Sequence, residues 1–140
     1  MATYAVTDNG VAVAGGAKPY LQEVVLDFST TNLGVNEDID ALKVPANTLV
    51  LCVGIELVTA SSNAGTIDVG DGTAADTWVT DLDADGVVSQ GIQETGSSAK
   101  FYLAADTIDV KAITAIMDGK VRVFAVMVPM NAAGTAAAFA

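Results

Sequence analysis

Along the chain, apolar and β-branched residues gather into short runs separated by Gly, Pro, Asn, Asp and Ser, and no stretch sustains a helical period beyond a turn or two. The first run, Leu21–Phe28, predicts a strand. Polar residues then fill Ser29–Asp40, and Pro45-Ala46-Asn47 marks a turn before the longest apolar segment, Thr48–Ala60. Its β-branched residues and interior Gly54 disfavour a helix and predict a long central strand. The odd positions Leu49, Leu51, Val53, Ile55 and Leu57 are apolar without exception, whereas the even ones include Gly54 and Glu56. An unbroken alternation therefore turns the odd face to the core.

Beyond the Ser61–Gly65 loop the pattern predicts short strands at Thr66–Val69 and Thr77–Leu82, weaker ones at Val87–Gln93 and Lys100–Leu103, and a stronger pair at Thr107–Ile116 and Lys120–Val128. Asp118-Gly119 between the last two is a hairpin signal, because both central residues of a type I′ turn need positive φ. That turn sets Met117 opposite Lys120, Ile116 opposite Val121 and Ile113 opposite Phe124. Seven or eight such strands predict an all-β single domain, a β-sandwich or jelly roll, over 21–129. Residues 1–20, rich in Ala, Gly, Val and Thr, and the Ala-rich tail 130–140 predict extended N- and C-terminal arms that gain order against a partner.

Charge narrows the function classes. Six Lys and Arg oppose seventeen Asp and Glu in 140 residues, a net charge of −11, so a phosphate backbone or an anionic membrane surface repels this chain. Nucleic-acid and membrane partners are disfavoured. No run approaches the roughly 20 apolar residues of a membrane helix, and Met1–Gly16 lacks the basic leader of a secretory signal. From Val44 to Ala99 there is no Lys, Arg or His, and the eight carboxylates Glu56, Asp68, Asp71, Asp76, Asp81, Asp83, Asp85 and Glu94 stand uncompensated. Lys100–Ala140, by contrast, carries four bases against three acids.

Candidate chemistry is sparse. With no His and a single Cys, the usual general bases and nucleophiles are missing, and the chain reads as a surface-forming structural protein with no catalytic residue, metal ligand or cofactor. Cys52 lies in Val50-Leu51-Cys52-Val53-Gly54-Ile55, the setting of a small buried hydrophobe, and a lone cysteine makes no internal disulfide. Asp81-Leu-Asp83-Ala-Asp85-Gly86 matches the opening of a calcium-binding EF-hand loop, yet the position of the bidentate Glu is Ile92 and the flanks are strand-like. Asp68, Asp71 and Asp76 sit in ordinary Asp-Gly turn chemistry. Neither Asp83 with Asp85 nor Asp68 with Asp71 offers the contrasting environments of an acid/base pair. Gly70-Asp71-Gly72 lacks the strand-to-helix context of a nucleotide loop, and Trp78, in an alternating strand, reads as core or interface before sugar platform.

Three segments taken together, Val44–Ala60, Gly65–Val79 and Gly119–Val128, resemble small virion proteins of tailed bacteriophages, marine and cyanobacterial phages included, that decorate or cement the capsid. The resemblance runs from Leu21 to Val128. It implies a β-sandwich that binds the outside of the major capsid protein lattice, commonly as a homotrimer, on the capsid surface of a virion assembled in the host cytoplasm. Head-fibre and tail components share this pattern, and a calcium-dependent carbohydrate-binding module is the alternative from another class, requiring an occupied Asp81–Asp85 turn and an exposed Trp78.

The missing Glu makes metal dispensable for folding. Adding a chelator is expected to leave the melting temperature unchanged, and Asp83→Asn with Asp85→Asn to leave the fold intact; a drop of many degrees on chelation refutes this.

Overall fold

The structure, a computed structural model, describes residues 18–86, 88 and 99–131. Eight strands form: β1 (Tyr20–Asp27), β2 (Asp38–Val44), β3 (Thr48–Thr59), β4 (Thr66–Asp71), β5 (Val79–Asp83), β6 (Lys100–Tyr102), β7 (Asp106–Ala112) and β8 (Lys120–Pro129). They make two four-stranded antiparallel sheets, ordered β1-β8-β3-β6 and β2-β7-β4-β5. The pairs β1 with β8, β2 with β7, β3 with β6 and β4 with β5 are those of one long hairpin folded at the β4–β5 turn. Pairing of β3 with β8 and of β4 with β7 then rolls that hairpin into a sandwich, the jelly-roll form expected from the strand pattern. The expected strand at Val87–Gln93 lies outside the described residues except for Val88, as do most of the arms at 1–20 and 130–140.

The core fills the space between the sheets with small branched side chains: Val50, Val53, Ile55 and Leu57 of β3, Ile67 and Val69 of β4, Ile108 and Val110 of β7, and Val121 and Val123 of β8. Phe28, Leu33 and Met117 are also buried, and Leu33 and Met117 pair as an isolated bridge. Strand β2 begins inside the polar stretch Ser29–Asp40. Its first residues are exposed, so only Leu42 and Val44, inserted between the β7 ladder and the core, carry a burial signal.

Two expectations are corrected. The hairpin at Asp118-Gly119 does not form: β7 ends at Ala112 in one sheet and β8 begins at Lys120 in the other. Lys120 instead pairs with Asp27 and Thr59, Val121 with Leu26 and Leu57, and Phe124 with Glu23 and Gly54. Among the described residues the non-glycine positions with positive φ are Asn36, Asn47 and Asp81, so Asp118 does not adopt the turn backbone. Its carboxylate spans to the β3–β4 loop, accepting from Ser61 Oγ at 2.8 Å, Ser62 N at 2.7 Å and Ser62 Oγ. Gly119 is required by close approach, since a Cβ there would stand 2.2 Å from Thr59 O.

The second correction is the face of β3. A β-bulge between Val50 and Cys52 places two residues opposite one step of β8. Val53, Ile55 and Leu57 point inward as expected, but before the bulge it is Thr48 and Val50 that are buried, while Leu51 is 40% exposed. Leu49 and Leu51 thus lie on the outer face. Val50→Ala is expected to cost about 2 kcal/mol by leaving a cavity, and Leu51→Ala under about 0.5 kcal/mol, as read from urea unfolding. Equal costs would refute the bulge.

Candidate assembly face

The two sheets present opposite kinds of surface. On the outer face of β2-β7-β4-β5, cross-strand pairing places Lys111 between Asp38 and Asp68, and Asp40 beside Asp109. Asp81 and Asp83 of β5 and Lys43 of β2 continue the face, giving six carboxylates against two lysines. Asp68 and Asp109 are only 8% exposed. Burial, reinforced by Asp81 and Asp76 for the first and by Asp40 and Asp38 for the second, raises both carboxyls above the usual carboxylate range. Asp81 takes positive φ at a bulge opposite β4, and its N–H bonds to Asp68 Oδ1 at 2.8 Å.

The outer face of β1-β8-β3-β6 divides into halves. At one end Asp27 pairs with Lys120 at 3.3 Å, and Arg122 lies 3.2 Å from Glu56 and 3.5 Å from Glu23. At the other end neighbouring strands align Leu21, Val126 and Cys52, then Val128, Leu49 and Phe101, with Leu51 added by the bulge. Phe124 lies across Gly54, where a Cβ would meet its ring at 2.3 Å, so the glycine lets the aromatic ring flatten onto the sheet. Leu21 is 59% exposed and Phe101 44%. These side chains form a contiguous apolar area on the sheet face.

Behind this face a buried clamp joins the sheets. Asp71, at the end of β4, has a fully buried side chain and reaches β6 in the other sheet, where Lys100 Nζ lies 2.5 Å away and the Tyr102 hydroxyl donates at 2.6 Å. Its other oxygen accepts from Thr73 N at 2.9 Å, Ala74 N at 3.2 Å and Thr77 Oγ1 at 3.2 Å, shaping the β4–β5 turn. Trp78 Nε1 donates to Tyr102 Oη at 3.2 Å, and Lys100 Nζ sits 4.9 Å from the Tyr102 ring centre. Burial works to raise the Asp71 carboxyl, but the bonds from Lys100, Tyr102, Thr73 and Ala74 outweigh it and hold it at about 2. Burial and the Asp71 charge push the Tyr102 hydroxyl up.

The sequence candidates distribute accordingly. Asp71 is structural, and Trp78, 2% exposed, packs in the core and offers no face to a sugar. Asp83 and Asp85 do come together, and their hydrogen bond raises Asp85, while Asp81 turns to Thr66 and Asp68. Among the described residues no three or more His, Cys, Asp or Glu converge as a metal-holding group, and Ile92 lies outside them. Cys52 is free and half-buried on the apolar half, where the core was expected. The Lys100–Tyr102 partnership had no sequence signal, and Asp109 was not singled out.

No family model and no curated protein matches the chain. Among solved structures, a chain of the cyanophage Pam1 capsid asymmetric unit superposes at a TM-score of 0.65 and 18% identity, over 92% of this chain and 94% of that one. A chain of the acidic stable capsid structure of Helicobacter pylori bacteriophage KHP30 does so at 0.59 and 16%, over 87% and 92%. At these identities the likeness is one of fold.

The buried carboxylates predict a two-phase acid profile. Asp68 and Asp109 are raised in the folded state, so stability is expected to increase as pH falls from neutrality through their folded-state titration, where they take up protons before an unfolded carboxylate would. Asp71 is lowered, so its contribution is present above the unfolded carboxylate value near 4 and is lost as pH falls toward about 2. Asp71→Asn is expected to cost about 2 kcal/mol at pH 7 and to flatten the acid limb; Asp109→Asn should diminish the initial gain on acidification. Urea midpoints across pH 2–7 check both, and an unchanged acid limb in Asp71→Asn refutes the clamp.

Proposed function

We propose that this chain is a structural virion protein that decorates or cements a phage capsid by binding the major capsid protein lattice from outside as a homotrimer. The observation that carries the reading is coverage: the likeness to chains in two phage capsids takes in nearly the whole of both partners each time, so it is the complete domain that corresponds and not a shared fragment. The two-faced surface supports it. A cementing domain needs one broad side for neighbours and one for solvent, and here the apolar patch and the three cations Lys100, Lys120 and Arg122 belong to the sheet β1-β8-β3-β6, while the acidic face is on the other. In this reading attachment to the shell depends on residues 1–20 or 131–140, with no reaction, cofactor or metal involved.

The test is addition of the purified protein to shells assembled from the accompanying major capsid protein alone. Saturable co-sedimentation is expected, with added density on the shell exterior in electron micrographs. Removing both terminal segments should leave the β core folded, by its melting transition, and weaken binding at least about tenfold. Undiminished binding after trimming, or none by the intact protein, overturns the reading.

A further inference from the structure

We infer that the apolar half of the outer face of β1-β8-β3-β6 is an interface between copies of this chain, a second copy seating over Leu21, Leu51, Phe101 and Val126. This rests on the assembly reading above and adds to it the surface and the occupant.

The patch is built by the fold. The bulge at Val50/Cys52 moves Leu49 and Leu51 from the inner to the outer side, and register lays them beside Val128, Val126 and Leu21. Leu51 is 40% exposed, Phe101 44% and Leu21 59%, so each has apolar surface to bury.

Charge selects the occupant. A cationic partner is drawn to the other broad face, where six carboxylates meet two lysines. Among the described residues the apolar half carries no charged side chain, and its continuation sets Lys120 and Arg122 against Asp27, Glu56 and Glu23, so that its charges largely offset one another. Of the two broad faces it is therefore the one on which a strongly anionic protein can be approached by another anionic protein with the least repulsion. A second copy, carrying the same −11, is such a partner. Packed this way, each copy turns its acidic face outward.

Cys52, on the patch and the chain's one cysteine, reports the covering directly. Sedimentation velocity on the full chain is expected to show an oligomer at micromolar concentration. Cys52 should react with a maleimide at least about tenfold more slowly there than after dilution to dissociation. Leu51→Lys and Leu21→Lys should each give monomers with an unchanged melting transition and a freely reactive Cys52, while Asp40→Lys on the acidic face should leave the oligomer in place. If a lysine variant fails to fold, the concentration dependence of Cys52 in the unsubstituted chain still decides. A monomer with reactive Cys52 overturns the inference. So does a monomer with protected Cys52, in which the chain's own residues cover the patch, and so does an oligomer that both lysine variants retain. Shell co-sedimentation of the same samples separates the two readings: a monomer that binds shells removes this interface and the homotrimer but keeps decoration, whereas an oligomer that ignores shells keeps the interface and removes decoration.

Discussion

A carboxylate buried between two sheets is costly unless its oxygens are satisfied, and Asp71 is satisfied from both sides of the sandwich. Its Oδ1 organises the turn at the tip of the long hairpin, and its Oδ2 ties that tip to β6 in the opposite sheet through Lys100 and Tyr102. The junction fastens the rolled topology that the β3–β8 and β4–β7 pairings create, holding the tip of the folded hairpin against the sheet it crosses. Trp78 seals the junction by packing beside Tyr102, so the lone tryptophan is spent on the core. Removing one member of such a network strands the others, which is why its parts are not interchangeable.

A single extra residue has the next largest consequence. Without the bulge in β3, Leu49 and Leu51 would face inward and the outer side of the sheet would carry the shorter Thr48 and Val50. With it, the inner face remains continuous through Val50, Val53, Ile55 and Leu57, and surplus apolar side chains are displayed outside. The stability of the domain and the stickiness of one face are therefore set by the same strand.

The charge distribution completes the division of labour. Carboxylates concentrate on the outer face of β2-β7-β4-β5, where Asp68 and Asp109 are raised by burial and by their neighbours, so that two such faces brought together would repel. Every described ion pair involves a cation of the other sheet. The outcome is a molecule whose two broad faces differ, one strongly acidic and the other half apolar.

Much of this was legible in the residues. The all-β class, the strands at Leu21–Phe28, Thr48–Ala60, Thr66–Val69 and Lys120–Val128, and the turn at Pro45-Ala46-Asn47 follow from local alternation and turn chemistry, which act between residues close in the chain. The excess of carboxylates in the central third was plain from composition. Other features depended on contacts distant in sequence. Strand β2 was hidden because its exposed start leaves two apolar residues to announce it, and Asp118-Gly119 carried a true turn signal that the pairing of β8 with β1 and β3 overrode. The bulge inverted half of a perfect alternation, since a one-residue insertion is visible only in the partner strand's register. Asp71 meeting Tyr102, 31 residues away, is likewise a matter of how the sheets close. Local patterns determined which segments are strands; the tertiary packing alone decided which strands are neighbours, and hence which side chains are buried and which are exposed.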